Sequence, residues 1–364
     1  MSVGPDETDG TTIGDGLRGC DEPLSRAYGL ALVDLDGVVY RGGAAVGHAV
    51  DSLRRVASEG MAIEYTTNNS SRRPRVVADQ LRGFGLELDD EDVITSSIVA
   101  SRMVARRIPA GSRVLVIGAD HLREEVARQG LVPVDSVDDD PQAVVQGWYP
   151  DISWRELAQA AFAVERGARY FVTNRDLTIP REKGIAPGCG SLIRAVVGAT
   201  GVEPEGSAGK PESAMYDEAR LLAAHDGRTP VARERCLAVG DRLDTDIEAG
   251  VRGGYDSLLV LTGVTGAFGL LRAPRGLRPT YVGADLRVLD EPQPAPRLTA
   301  DGDGVCGDAL ARRTDGAIEV SGGSAMDRLR ASCVLSWSLV DAGVPADGLM
   351  PSDVSRFEDD GSAS

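Results

Sequence analysis

The feature that most constrains this chain is a rhythm: short apolar runs that stop at clusters of polar residues, with helix-patterned stretches between them. Tyr28 to Val33 is apolar and ends in Asp34-Leu35-Asp36-Gly37-Val38. Helical spacing follows from Val46 to Ser58, then a second strand-like run from Met61 to Thr66. Strand, helix, strand is the unit of a parallel sheet, whose strands are buried on both faces and therefore apolar throughout. Helices are further expected at Pro74 to Leu81 and Ser97 to Arg107, so the fold class is α/β.

From Arg113 the rhythm starts afresh, with strands at Val114 to Ile117, Leu131 to Val134, Ala143 to Gly147 and Tyr170 to Thr173 and helices at Leu122 to Gln129 and Trp154 to Arg166. From Gly188 long elements resume, with strands at Cys236 to Val239 and Ser257 to Leu261 and helices near Ser191 to Ala199, Ser213 to Ala224 and Thr245 to Arg252. This pattern predicts a core sheet, residues 26–109 and 184–291, interrupted by an inserted α/β domain at 110–183. Residues 1–25 read as a disordered acidic tail, the proline-rich stretch Glu291 to Arg297 as a linker, and 298–346 as a small α+β appendage before a frayed tail at 347–364. The appendage is expected to contain elements at Gly304 to Arg312, Ala317 to Val320 and Ala325 to Ala342. A length of 364 residues suits two compact domains and an appendage.

Charge narrows the partner. With 56 acidic against 39 basic residues the formal net charge is -17, which repels nucleic acid and anionic membranes, and no basic patch offsets it. A small metabolite is the expected partner. No apolar run approaches the length of a membrane span. Cys20, Cys189, Cys236, Cys306 and Cys333 show neither close pairing nor metal-ligand spacing, and an odd count argues against a disulfide framework. No signal-like start lies between Met1 and Glu22, so the expected location is cytoplasmic. Oligomeric state is left open, a homo-oligomer being compatible.

Four polar motifs sit at strand ends. Asp34 and Asp36, one residue apart before a turn at Gly37, can converge beyond the carboxyl end of a sheet, one attacking and one handling protons; the plainer reading is an Asp-Gly turn with a capping acid. Thr66-Thr67-Asn68-Asn69-Ser70 can donate neutral hydrogen bonds to phosphate oxygens, or simply cap the next helix. Gly209-Lys210-Pro211 holds one of only two lysines, the other being Lys183. A compact ammonium suits a place between a carboxylate and a phosphoryl oxygen, though a surface Lys at a turn is the alternative. Val239-Gly240-Asp241-Arg242-Leu243-Asp244-Thr245-Asp246 supplies carboxylates of the kind a hard cation such as Mg²⁺ takes, or acids at a helix start.

The order of these motifs resembles the haloacid dehalogenase-like hydrolase superfamily, over roughly residues 26 to 291. The acid at Asp36 is similar to its phosphatase branch. DLDGVVY at Asp34 to Tyr40, TNNS at Thr67 to Ser70, TNRD at Thr173 to Asp176 and GDRLDTDI at Gly240 to Ile247 look like the group of NagD, pyridoxal phosphatase and phosphoglycolate phosphatase, whose cap domain is inserted where residues 110–183 lie. The resemblance implies a Rossmann-like core and a phospho-aspartate mechanism. Asp34 would be the nucleophile and Asp36 the acid and base, while Thr67, Asn68 and Lys210 would hold the phosphate. The metal ligands would be Asp34, Asp241 and the Asp36 carbonyl around Mg²⁺, supported by Asp246.

The cap loop Asn174-Arg175-Asp176 would govern substrate choice, Arg175 pairing either with a second anionic group or within the cap. The Arg-rich chain with its C-terminal extension is similar to actinobacterial glycerol-3-phosphate phosphatases, which makes glycerol 3-phosphate the expected substrate. Phosphoglycolate, pyridoxal phosphate, a sugar phosphate or a non-catalytic sensor role stand as alternatives. In those relatives a reduced acetyltransferase-like domain follows the phosphatase. Here Gly322-Gly323 and the helix from Ala325 match it loosely, and no loop suits a coenzyme A pyrophosphate. The appendage is thus such a remnant or a stabilising or oligomerising element, without acetyl transfer.

Overall fold

The structure, a computed structural model, describes residues 14–181, 183–224, 229–346 and 349. The chain forms two compact units, residues 1–63 with 231–364 and residues 64–230, so the second is an insertion in the sequence of the first. Among the described residues no helix is long and apolar enough to cross a membrane.

In the first unit, parallel strands lie side by side in the order Tyr281–Gly283, Asp256–Val260, Cys236–Gly240 and Leu30–Asp34. Their residues are buried almost without interruption, as a sheet covered on both faces requires. The α/β expectation holds. Leu30–Asp34 pairs with Cys236–Gly240 so that Val33 faces Val239. Asp34 and Gly240 therefore end neighbouring strands at the same level, and Asp241 leaves beside Asp34.

After this sheet come antiparallel strands Arg297–Leu298, Gly304–Cys306, Ala309–Thr314 and Ala317–Ser321, then the helix Ala325–Asp341. Ser324 and Asp327 close its first turn as a capping box. The single element expected at Gly304 to Arg312 is instead a hairpin turning at Gly307-Asp308, where Cys306 pairs with Ala309. The proline-rich stretch is pinned rather than free. Gln293 is buried, exchanges two backbone hydrogen bonds with Cys20, and its side-chain oxygen accepts from Arg330. The expected acidic tail is likewise packed from residue 14 onward: Leu17 and Leu24 are buried, and Arg18 pairs with Asp256. Composition alone does not reveal such isolated anchors. Residues 1–13, and all of 347–364 except Leu349, lie outside the described residues.

The strand Ala62–Thr67 enters the second unit at Glu64 and pairs in parallel with Val93–Thr95 from Tyr65 onward. A five-stranded parallel sheet follows in the order Gly206–Ser207, Arg169–Val172, Ala143–Gln146, Arg113–Ile117 and Val132–Val134. The helix Cys189–Thr200 buries Cys189, Ile193 and Val196 with Leu115, Val144 and Tyr170. This layer thus extends past residue 183 to Ser207. An antiparallel hairpin, Thr178–Arg181 with Gly184–Pro187, has no counterpart in the sequence reading, since its prolines and charges hide any alternation.

Glu64, 3% exposed, has its Oε2 buried without a hydrogen-bond partner. Burial, and secondarily the charge of Asp92, push its carboxyl up to about 9. The folded state keeps a proton that the unfolded chain releases above about 4.5. This contribution to stability is full below that value and lost as pH rises towards 9. Glu64→Gln removes the dependence. Thermal melts should show the variant matching the wild type at acid pH and surpassing it increasingly as pH rises towards 9.

Candidate active site

Three acids converge in the first unit. Asp34, Asp241 and Asp246 each present a carboxylate oxygen within 4.8 Å of the others, the last two buried. Asp34 ends its strand. Asp241 is held by the segment after the next strand: Val264 N–H donates to its Oδ2 at 2.6 Å and Thr265 N–H to its carbonyl at 3.1 Å. Thr262 Oγ1 donates to the Gly37 carbonyl at 2.7 Å, tying the same segment to the first acidic turn. Asp246 Oδ2 accepts from the Arg242 N–H at 3.1 Å across the turn Leu243–Ile247. Asp246 therefore both closes its own helix start and joins the cluster.

Packing here leaves no room for side chains. A Cβ on Gly37 would lie 2.6 Å from Asp241 Oδ2, and one on Gly263 would fall inside the same carboxylate. Gly37 also adopts a positive φ of 85°, which carries the chain from Asp36 into the Val38 to Tyr40 turn. Leu35 is fully buried and Asp36 exposed, and the Asp36 carboxylate is not among the converging three. Two like charges at such spacing repel by roughly 3 kcal/mol even at an effective dielectric of about 20. An all-carboxylate set suits a hard divalent cation, which would compensate that repulsion, so the donors present fit one. Asp244 is not part of the set. It pairs with Arg242 at 2.9 Å, whose hydrogen bond holds its carboxyl below the usual range.

In the second unit the remaining motif residues gather around Asn68. Its Nδ2 donates to the Lys210 carbonyl at 2.9 Å and reaches Asp176 at 3.3 Å, while its Oδ1 accepts from the Lys210 N–H at 2.8 Å. Its own carbonyl accepts from Asn174 Nδ2 at 2.9 Å and Ser96 Oγ at 2.7 Å. Three motifs far apart in sequence, at Thr67, Asn174 and Lys210, are thus fastened by one amide. Lys210 is 2% exposed, its Nζ 6.0 Å from the centre of the Tyr216 ring. Thr67 is buried, and its hydroxyl oxygen accepts from the Asn69 N–H at 3.2 Å. Asn69 turns the chain by accepting from the N–H groups of Ser71 and Arg72. The next helix is capped by Arg73 without a side-chain bond, so these polar residues are not its cap. Arg175 points outward and lies 3.5 Å from Glu203.

The chain is 41% identical to the D-glycerol 3-phosphate phosphatase of Mycobacterium tuberculosis over 290 residues, 78% of this chain and 79% of that one. The chain belongs to the haloacid dehalogenase-like hydrolase family. Two models of haloacid dehalogenase-like hydrolases match residues 31–132 and 207–289, the segments that carry Asp34, Asn68, Lys210 and Asp241. A Bacillus subtilis 5'-nucleotidase is 36% identical over 66% of this chain and 90% of its own. Among solved structures, the glycerol phosphate phosphatase of M. tuberculosis in complex with magnesium matches with a TM-score of 0.78 and 36% identity, covering 91% of this chain and 96% of that one. A p-nitrophenyl phosphatase from Archaeoglobus fulgidus matches at 0.65 and 32%, covering 72% and 97%. Within the haloacid dehalogenase-like hydrolases, then, the mycobacterial enzyme shares more of this chain than the p-nitrophenyl phosphatase does.

Sequence reasoning missed the segment Thr262 to Thr265, which grips Asp241 through main-chain groups, and Ser96, which buttresses Asn68. Neither carries an acid or a motif, although a small polar run directly after a buried strand is a recognisable strand-end signal. Gly209 packs against this clamp, and a Cβ there would lie 2.6 Å from Asn68 Oδ1 and 2.8 Å from Asn174 Cβ. Gly209→Ala should therefore destabilise the fold by about 1–3 kcal/mol, read by chemical denaturation, whereas Gly198→Ala, with open space at its Cβ position, should not destabilise it.

Proposed function

We propose that this chain is a Mg²⁺-dependent phosphatase that hydrolyses a small phosphate monoester through a phospho-aspartate on Asp34, with glycerol 3-phosphate as the preferred substrate. The observation that carries the reading is the convergence of Asp34, Asp241 and Asp246 at the carboxyl ends of neighbouring parallel strands. The mycobacterial relative acting on D-glycerol 3-phosphate supports the substrate. Ion binding would fall to the Asp34 and Asp241 carboxylates and the Asp36 carbonyl, with Asp246 close enough to serve directly or through a neighbour. When bound, Mg²⁺ supplies positive charge that offsets the repulsion between an anionic nucleophile and an anionic ester.

The residues divide the work as follows. An Asp34 carboxylate oxygen attacks phosphorus in line, forming the acyl-phosphate bond as the ester P–O bond breaks. Asp36, whose exposed carboxyl is not among the three converging acids, donates its proton to the leaving alkoxide. It then takes a proton from the water that attacks the phospho-aspartate, releasing inorganic phosphate and restoring Asp34. The Thr67 hydroxyl and the Lys210 ammonium hold the transferring oxygens. Asn68 has a different part from the one its sequence motif suggests. Both amide hydrogens are engaged by Lys210 and Asp176, so it shapes the phosphate cradle and leaves donation to main-chain groups. Asn174 and Asp176 act with it.

Residues 26–109 and the part of 184–291 beyond Ser207 are read as the phosphatase core, and 110–183, with the layer continued to Ser207, as a cap that screens the leaving alcohol. A cytoplasmic enzyme acting on a free metabolite fits the acidic composition. Replacing Asp34 with Asn should abolish phosphate release from glycerol 3-phosphate, and Mg²⁺ chelation should do the same to the wild type. If glycerol 3-phosphate does not lead a panel with phosphoglycolate, pyridoxal phosphate and sugar phosphates, ranked by kcat/KM, the substrate assignment fails.

Arg175 already has Glu203 as a partner, and an exposed pair of this kind contributes little. Arg175→Ala should therefore lower kcat/KM for glycerol 3-phosphate and phosphoglycolate by the same small factor. A loss confined to phosphoglycolate, measured in parallel, would instead assign Arg175 to a second anion.

A further inference from the structure

The appendage reaches the acid cluster through one short element. Immediately after the segment that grips Asp241 comes the helix Ala267–Leu271, five residues long. A helix of that length has no stability of its own and takes its position from its packing. Its last carbonyls are capped from the C-terminal helix: Trp337 Nε1 donates to the Leu270 carbonyl at 2.9 Å and Ser336 Oγ to the Leu271 carbonyl at 2.8 Å. Two residues on, the Ala273 carbonyl accepts from Arg278 Nε at 3.1 Å. Arg278 is 1% exposed, held by both oxygens of Asp341, and lies 5.1 Å from the Trp337 ring centre.

The same contacts extend to the other acidic segment. Leu329, Cys333 and Trp337 of the C-terminal helix share one apolar cluster with Leu270, Leu271, Leu259 and Ile247. Ile247 directly follows Asp246, and partly buried Leu243 packs against the same cluster. The opposite face of the helix, through Ala331 and Leu335, packs on the appendage's own sheet at Ile318, Ala309 and Ala311. One face of Ala325–Asp341 therefore builds the appendage, and the other supports both strand-end segments that bring Asp241 and Asp246 together.

We infer that Trp337 and Ser336 are positioning residues for the cation site: through the Leu270 and Leu271 carbonyls they fix the Thr262 to Thr265 segment, and through it the Asp241 carboxylate. The inference rests on the proposed metal-dependent reading of that site. Partners one layer beyond a metal's ligands set its affinity by orienting them, an effect of about 10-fold or more when they touch the ligand directly. The effect here, acting through one further element, is smaller.

The test uses the full chain. Mn²⁺ is titrated onto wild type, Trp337→Phe/Ser336→Ala, Ile318→Ala and Asp241→Asn, following the EPR signal of the free ion. The Mg²⁺ concentration for half-maximal phosphate release and the thermal midpoint are measured alongside. The Trp337/Ser336 variant keeps an aromatic ring and should weaken Mn²⁺ binding and raise the Mg²⁺ requirement by about 3- to 10-fold, with kcat at saturating Mg²⁺ within about 2-fold of wild type. Ile318→Ala, which loosens the other face of the helix, should lower the thermal midpoint and leave both metal constants unchanged. Unaltered metal constants in the Trp337/Ser336 variant, or an equal change in Ile318→Ala, overturn the inference. In either case Mn²⁺ binding that is present in the wild type and lost in Asp241→Asn leaves the metal reading standing. No Mn²⁺ binding by the wild type overturns both.

Discussion

Mutual repulsion among Asp34, Asp241 and Asp246 is the constraint around which the first unit is organised. Each acid is brought to the cluster by a different local device: the end of a strand, the turn after its parallel neighbour, and a widened helical turn that folds Asp246 back onto the Arg242 N–H. None of these devices alone holds three carboxylates this close; the backbone is also fixed from outside. That restraint comes from Thr262 to Thr265, whose N–H groups meet Asp241 and whose hydroxyl meets the Gly37 carbonyl. Glycines stand where those groups must approach one another. The sheet supplies direction, and the surrounding loops supply the resistance that electrostatics demands.

The second unit solves a different problem with a neutral group. A side-chain amide is both donor and acceptor, so Asn68 can bond both main-chain groups of Lys210 and still reach the Asp176 carboxylate. An aspartate or a lysine at that position could satisfy only one side of this arrangement. The consequence is that the ammonium of Lys210 is delivered by a backbone that is itself locked, in a chain whose basic residues are almost all arginine. Asn174 and Ser96 close the remaining carbonyl, which leaves the loop after Thr67 with little conformational freedom.

Much of this was legible before any coordinates. Apolar runs ending in polar motifs located the strand ends, because a parallel strand buried on both faces has no polar alternation and must announce its end chemically. Asp34, Asp241, Lys210 and Asn68 all lie at the positions that pattern indicated. What remained hidden was of two kinds. Main-chain contributions, such as those of Val264 and Thr265, come from backbone N–H groups, so residue type marks the strand end but not the grip on Asp241. Isolated anchors, such as Leu17, Leu24 and Gln293, sit in stretches whose composition reads as tail or linker, and only the surface they cover explains them. Local geometry was hidden as well: the Asn68 amide bonds Lys210 and Asp176, and Asp246, expected in support, presents its carboxylate beside those of Asp34 and Asp241.

The two-faced helix Ala325–Asp341 bears on where this protein can be cut. By sequence, residue 291 is an inviting end point, since prolines follow it and the parallel sheet is complete by then. Ending the chain there would uncover Leu259, Leu270, Leu271 and Val282, now sealed by Leu329, Cys333 and Trp337, and would deprive buried Arg278 of the Asp341 carboxylate. A shortened chain would thus carry a sticky apolar face and a stranded cation, defects that favour aggregation over a smaller soluble domain. The parallel sheet and the packed unit have different ends in this molecule.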